Sequence, residues 1–288
     1  MLLFLIFGQM TLWNCESFAQ IVKSDSIKLM TFNLRNSAAK DMEDRWEIRK
    51  NLLKEFLLRV TPDILCTQEA LLDQVNYIDS IADYEYVGVG RDNGSTEGEF
   101  CAIFYRAKTF KIISSGTFWL APINTEPNKG WDAALPRICT WAHFKAKSGG
   151  EFYVFNTHFD HIGKLARINS ARLIVAKMSL LDPQLPVICT GDFNDLPSAP
   201  GIHILKDFYT EANDKALQRE SENVTSFNDF KIDYQKSGGK IDYIFVNKSV
   251  KVLRYLTDTT KIKDRFISDH FPVLTTVIIN PAFTPQED

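Results

Sequence analysis

Polar side chains with chemical reach recur where apolar runs of this chain stop. Asn33 ends LMTFN, Gln68 and Glu69 end ILCTQE, Asn156 and His158 end YVFNTH, and Asp192 and Asn194 end VICTGDFN. Asp242 sits within KIDYIF, and Asp269-His270 opens the last apolar run. Burying a carboxylate without a partner is costly, so each acid needs water, a hydrogen-bond donor or a metal ion. Taken singly, each has a structural explanation: Asn33 as a strand-end turn, Glu69 as a helix start, Asp192 and Asn194 as turn residues. Their recurrence points to chemistry, because the strands of a sheet can carry all these groups to one edge. Spacing supports this. Asp192 and Asn194 are two apart and share a side of an extended chain, as do Asn156 and His158. The donor set is rich in oxygen, holds few imidazoles and has no Cys-His spacing, which favours Mg²⁺, Mn²⁺ or Ca²⁺ over zinc.

Elements that could position these groups follow from local pattern. Branched and aromatic content predicts strands in IKLMTFNLR, DILCTQEA, EFCAIFYR, FKIISSGTFWL, RICTWAHFKA and EFYVFNTHF. PVICT, KIDYIFVN, VKVLRYLTD and HFPVLTTVII extend the series, and a Ser-Gly-Gly hairpin signal joins RICTWAHFKA to EFYVFNTHF. Helical spacing of Ile48, Leu52, Phe56, Leu57 and Val60 predicts a helix capped by Asp44 and stopped at Thr61-Pro62. Further helices are expected over about 71–82 and 164–181. The glycines of YEYVGVGRDNGSTEGE suggest an exposed loop, and 210–240 reads as polar. No linker or repeat divides the chain. Residues 21–288 are therefore expected to form a single α/β domain with layered sheets.

Composition narrows the function classes. A formal charge of −3 gives no general electrostatic reason to expect binding to duplex nucleic acid, and 45% hydrophobic content is enough for a sizeable core. Residues 1–20, MLLFLIFGQMTLWNCESFAQ, have the length and apolar character of a signal peptide without its positive start. They point to export, periplasmic or extracellular, with Cys15 leaving open a membrane-attached form through an atypical lipoprotein signal. Asn14 and Glu16 interrupt the run before it could span a bilayer, so no transmembrane segment is expected after signal removal. Cys66, Cys101, Cys139 and Cys189 lie in strand-like runs and read as buried hydrophobes. In an exported chain Cys101 and Cys139 could pair.

In order, TFNLR, TQEA, NTHFDH, GDFND, IDYIFV and SDHFPV resemble the motifs of the endonuclease/exonuclease/phosphatase (DNase I-like) superfamily. The match runs from about Ile27 to Ile279, and the motifs are far more specific together than singly. The resemblance implies a four-layer α/β/β/α sandwich, with two mixed β-sheets face to face and helices outside. It also implies hydrolysis of a phosphate mono- or diester by in-line attack of activated water, assisted by Mg²⁺ or Mn²⁺. On that basis Glu69 would hold the cation with Asn33 and Asp269. Asp192 would orient and deprotonate water, and Asn194 would fix that water or a phosphate oxygen. His270, oriented by Asp242, and His158 would contact the phosphate. Whether Asp192 or the Asp242–His270 pair is the base stays open at this level.

Lower-ranked substrate-binding candidates are Asn156, Arg137, Arg167, His161 and Trp131. A guanidinium suits phosphate, and Trp131 lies in a polar loop after Asn124-Thr-Glu-Pro. Asp195 reads as a turn or capping residue. Low basicity disfavours duplex DNA and leaves a small or single-stranded phosphorylated substrate as the preferred one, ahead of a nuclease or sphingomyelinase-like reading. A catalytically inactive phosphate-binding module is disfavoured because each motif residue expected for turnover is present.

Overall fold

A computed structural model describes residues 26–81, 83–220, 224–236 and 238–279. The expected signal peptide at 1–20 lies outside the described residues. β1 (Ser26–Asn33) runs parallel to β2 (Ile64–Gln68), which pairs with β4 (Ile103–Arg106) and then β3 (Tyr84–Val87). On its other side β1 pairs antiparallel with β13 (Val273–Ile278), followed by β12 (Lys251–Thr257) and β10 (Gln218–Glu220), completing a seven-stranded sheet. The second sheet has six strands in the order β5 (Phe110–Trp119), β6 (Ile138–Ala146), β7 (Glu151–His158), β8 (Val187–Asp192), β11 (Asp242–Val246) and β9 (Thr210–Glu211). Both sheets are mixed: β7 and β8 are parallel, whereas β11 runs antiparallel to β8.

Three apolar clusters explain the layering. Leu29, Ile64 and Ile103 of the first sheet pack against Phe152, Ile188 and Ile244 of the second, making the central core. On the outer face of the first sheet, Phe32 and Leu65 meet α1 (Trp46–Val60) through Leu53 and Phe56, and α2 (Leu72–Asp79) through Val75 and Ile78. Across the molecule, Phe155 and Phe245 meet α3 (Lys164–Met178) through Ile174 and α4 (Pro200–Lys206) through Ile202 and Leu205. The result is an α/β/β/α sandwich, as expected. No described helix is long and apolar enough to cross a membrane.

Local expectations differ from the structure in several places. Asp44 does not cap α1. It ends a 3-10 turn over Met42–Asp44, and Arg45 takes the N-cap position without a side-chain cap bond. The second helix is shorter than 71–82, and the third ends at Met178. α4 carried no strong periodic signal, because only seven residues form it and Pro200 supplies its start. The polar stretch 210–240 contains β9, a one-turn helix α5 (Ala212–Lys215), β10 and a 3-10 turn. Cys66, Cys101, Cys139 and Cys189 are all free and buried, so the Cys101–Cys139 pairing is not made.

Asn156 was expected beside the substrate, but it serves the fold instead. Fully buried on β7, it donates to the carbonyls of Thr67 at 2.9 Å and Ala102 at 2.8 Å and accepts from Gln68 Nε2 at 2.6 Å. It therefore ties the two sheets together. Asn156→Ala removes one side of each bond and strands the partners, which is expected to cost on the order of 3 kcal/mol in urea unfolding. A loss below about 1 kcal/mol would show that water replaces the amide.

Candidate active site

Strand register delivers the polar groups to one end of the sandwich. Asn33 pairs in register with Gln68 at the carboxyl ends of β1 and β2. His158 and Asp242 both lie opposite Asp192, because β7 ends beside β8 and β11 begins there. Gly191 makes the approach possible: it has φ +149°, and a Cβ there would meet the Thr157 carbonyl oxygen at 2.0 Å. Asp269 and His270 arrive just before β13, whose antiparallel pairing with β1 returns the chain to the same edge.

Asp192 is the hub of the cluster. Its Oδ1 accepts the backbone N–H of Asn194 at 2.9 Å, and its Oδ2 accepts Asn33 Nδ2 at 2.9 Å. The same Oδ2 lies 3.5 Å from His158 Nε2 and 3.8 Å from His270 Nε2. Burial and the neighbouring Asp242 carboxylate push its pKa above the usual range. Asn194, with φ +48°, also donates Nδ2 to the Phe159 carbonyl at 3.0 Å, so it braces the Asp192 loop.

Two histidines face Asp192 in opposite protonation states. Burial opposes charge on His270, but Asp242 Oδ2 at 2.9 Å from its Nδ1 outweighs it and raises the pKa to about 10. His158 is pushed down to about 3 by burial and by the Arg137 guanidinium, whose Nη1 lies 3.0 Å from Nδ1 and 3.2 Å from Nε2. The site thus holds an imidazolium and a neutral imidazole at neutral pH. Asp242→Asn is expected to move the His270 titration in the metal-free protein from about 10 toward or below the ordinary imidazole value of 6.5, read by imidazole NMR shifts. The sign for stability follows. With the folded pKa above the unfolded one, the pair's stabilisation is full below about 6.5 and is lost as pH rises through about 10. An unmoved titration in the variant would refute Asp242 as the cause.

Beside this pair, a second acidic position forms around Glu69. Glu69 has φ +61°, and its carboxylate accepts Asn33 Nδ2 at 3.1 Å and the Asn36 backbone N–H at 3.2 Å. Burial and then Glu69 act to raise the pKa of Asp269, while His270 opposes the rise. Asp269 also takes Ser268 Oγ at 3.1 Å and lies 3.7 Å from Arg35 Nη1. The half-buried Glu69 and buried Asp269 carboxylates, and an Asp242 Oδ1 with no hydrogen-bond partner among the described residues, suit a hard divalent cation. Asp192, Asp242 and His270 each bring a ligand-type atom within 4.8 Å of the others. Asn33 does not present its oxygen to this position. Its Oδ1 accepts the Arg35 N–H at 3.0 Å, leaving its amide nitrogen to bridge Glu69 and Asp192.

The remaining candidates separate by their contacts. Arg137, 4% exposed, reaches Asp160 with Nε at 3.3 Å, His158 with Nη1 and His161 Nδ1 with Nη2 at 2.9 Å. Arg167 instead pairs with Asp195 at 2.8 Å and the Asp160 carbonyl at 2.9 Å, a structural clasp that also takes up Asp195. Trp131 is partly exposed, next to Asp132, whose carboxylate accepts the N–H groups of Leu165 and Ala166 at the start of α3.

Several site residues carried no clear sequence signal. Glu99 is one: it pairs with Arg91 and stands 3.6 Å from His158 Nδ1 and 3.8 Å from Arg137. It reaches the site because the stretch read as an exposed loop is folded back on itself, with Arg91 N–H to Glu99 O at 3.1 Å and Asp92 N–H to Glu97 O at 3.0 Å. Arg49 of α1 is another, 1% exposed and donating to the carbonyls of Leu34, Arg35, Asp44 and Ile267. It fastens the segment after Asn33 to the one before Asp269. Its helical position could have flagged it only as a polar intrusion on an apolar face.

The chain is similar in sequence and fold to known proteins. The model of the Endonuclease/Exonuclease/phosphatase family fits residues 13–270. Mouse Nocturnin is 25% identical over 285 residues, covering 85% of this chain, and Protein angel of Drosophila melanogaster is 28% identical over 178 residues, covering 56%. The chain spans 63% and 47% of those relatives' lengths, and 30% of Drosophila Nocturnin. Among solved structures, a Bacteroides thetaiotaomicron mannosyl-6-phosphatase superposes with a TM-score of 0.81 at 40% identity, covering 88% of this chain and 99% of that one. A Bacteroides vulgatus endonuclease/exonuclease/phosphatase gives a TM-score of 0.84 at 33% identity, with 88% and 99% covered. Taken with the sandwich and its clustered strand ends, these matches show that the chain belongs to the endonuclease/exonuclease/phosphatase family.

Proposed function

We propose that this chain is a divalent-metal-dependent phosphoesterase that hydrolyses a phosphate monoester on a sugar hydroxyl. The observation that carries the reading is the set of groups around Asp192: a buried carboxylate, a charged His270, a neutral His158 and the Glu69–Asp269 position, all at one sheet edge. The likeness to a mannosyl-6-phosphatase at 40% identity favours a sugar monoester within the family's range.

Glu69 and Asp269 would hold Mg²⁺ or Mn²⁺, with Asn33 steering Glu69. The cation supplies charge neutralisation at the phosphoryl and leaving oxygens. Asp192 orients the attacking water and takes its proton as the water oxygen bonds phosphorus and the ester P–O bond breaks, and the sugar oxygen leaves as an alkoxide that takes a proton from solvent water. His270 is charged through the neutral range and has no lone pair to accept that proton, which favours Asp192 as the base and leaves His270 to donate to a phosphate oxygen. Asp242 keeps His270 charged and aimed. His158 contributes the uncharged donor on the opposite side. Residues 21–288 are read as one catalytic domain, and the apolar character of 1–20 supports an exported enzyme.

The test is phosphate release by purified residues 21–288 with Mg²⁺, across hexose 6-phosphates, nucleotides and bis-p-nitrophenyl phosphate. Hydrolysis of hexose 6-phosphates above the others supports the reading. Binding of phosphate compounds without turnover of any would replace it with a non-catalytic module.

A further inference from the structure

We infer that His161 is a specificity-determining residue, set by Arg137 to donate a hydrogen bond from Nε2 to a hydroxyl of the substrate's leaving group. The inference rests on the phosphomonoesterase reading above and extends it to the part of the substrate beyond the phosphate.

Arg137 Nη2 lies 2.9 Å from His161 Nδ1, and a guanidinium has only donors. His161 Nδ1 must therefore accept, so the ring is neutral and its single proton sits on Nε2. That nitrogen is left as an N–H donor on an exposed side chain. The Arg137 guanidinium is itself buried and held by Asp160 at 3.3 Å, with Nη1 against His158. One rigid group thus touches both histidines, which places His161 next to the imidazole that faces Asp192.

Loop geometry makes the placement firm. Asp160, 1% exposed, accepts the backbone N–H groups of Ile162 at 3.1 Å, Gly163 at 2.8 Å and Leu135 at 3.3 Å. The loop carrying His161 is thereby stitched to the loop that leads into Arg137. His158 ends β7 inside the cluster, whereas His161 lies three residues beyond it on the exposed rim. A group in the inner position meets the reacting phosphate, and one on the rim meets what the phosphate is attached to. A neutral N–H donor there suits an uncharged hydroxyl acceptor, as on a sugar. Arg137 then acts as a positioning residue: its donors are directed to Asp160, His158 and His161 and its contact with substrate runs through the imidazoles.

Two measurements test this. In ¹⁵N-histidine-labelled protein at neutral pH, His161 is expected as the Nε2–H tautomer, and Arg137→Met is expected to release it to a mixture. A charged His161 or an Nδ1–H tautomer in the unsubstituted protein would overturn the inference even if no substrate were turned over. In kinetics, His161→Ala should lower the kcat/KM ratio of hexose 6-phosphate to p-nitrophenyl phosphate, whose leaving group offers no sugar hydroxyl, by about tenfold, mostly through KM. His161→Gln, which can present an amide N–H near the same point, should recover much of the ratio. Equal losses on both substrates, which leave the ratio unchanged, would assign His161 to the phosphate, and no loss on either would remove it from the site; either result overturns the inference. Absence of Mg²⁺-dependent turnover on both substrates would instead refute the proposed function, with the tautomer measurement left to judge His161.

Discussion

Asp192→Asn is expected to lower kcat by about 10³-fold while raising the thermal midpoint of the metal-free protein. The kinetic loss follows from the role of the carboxylate, since an amide of the same shape keeps one acceptor oxygen, enough for the Asn194 N–H or for Asn33 Nδ2 but not for both through separate oxygens, and cannot take a proton from water. The stability gain follows from the opposite sign of the same charge. Burial and Asp242 raise the pKa of Asp192 above its ordinary value. A carboxyl group whose folded pKa is raised stabilises the fold fully below the unfolded pKa, near 4, and loses that contribution as pH rises through the folded value. At neutral pH the ionised group is therefore a cost, and the neutral amide relieves it. Catalytic sites commonly hold such costs. Steady-state kinetics on the best substrate, together with calorimetric melting in chelator, would check both halves. Retention of more than about a tenth of kcat would exclude Asp192 as the base.

Chelation is expected to abolish turnover, to below about 1% of the Mg²⁺-saturated rate, and to destabilise the fold at neutral pH. Glu69 and Asp269 lie close enough for the charge of one to raise the pKa of the other, with Arg35 3.7 Å from Asp269 and His270 partly offsetting the repulsion. A bound cation would turn that repulsion into attraction. If the ion binds only the folded chain, metal at 100 times its Kd adds about 2.7 kcal/mol. The midpoint should therefore climb with Mg²⁺ or Mn²⁺, and Glu69→Gln should flatten that climb while removing most of the activity. Turnover that survives chelation would overturn the metal-dependent mechanism. A climb that persists in Glu69→Gln would move the ion elsewhere, with the Asp192, Asp242 and His270 group as the next position to examine.

Much of this protein could be read from its residues because local rules and tertiary needs agree. Branched and aromatic runs became strands, and the polar residues that end them lie together because parallel strands such as β1 and β2, or β7 and β8, finish at the same edge. The separation of Asp192 from Glu69 by more than a hundred residues was no obstacle, since each motif marks its own strand end. What failed did so mostly where a residue's partner is remote in sequence, with Asp44 a local exception. Asn156 shares the spacing of His158, yet it is turned inward to satisfy Thr67, Ala102 and Gln68. Asp44 had the right type to cap a helix, but a 3-10 turn claimed it and left Arg45 at the start. Glu99 looked like part of a polar loop until the folded-back backbone carried it to Arg137 and His158.

By itself the chain determined which residue types end which strands, and so the chemistry available: oxygen donors, two imidazoles and an amide at one edge of a layered α/β fold. Only the tertiary structure decided how that chemistry is divided. Protonation depends on burial and on neighbours brought together by strand register, and neither is encoded in any short stretch. Asp242 makes His270 a cation, burial and Arg137 keep His158 neutral, and Asn33 turns its amide nitrogen, not its oxygen, toward Glu69 and Asp192. Identical residue types thus take opposite charge states a few ångströms apart, because the fold gives one a carboxylate partner and the other a guanidinium.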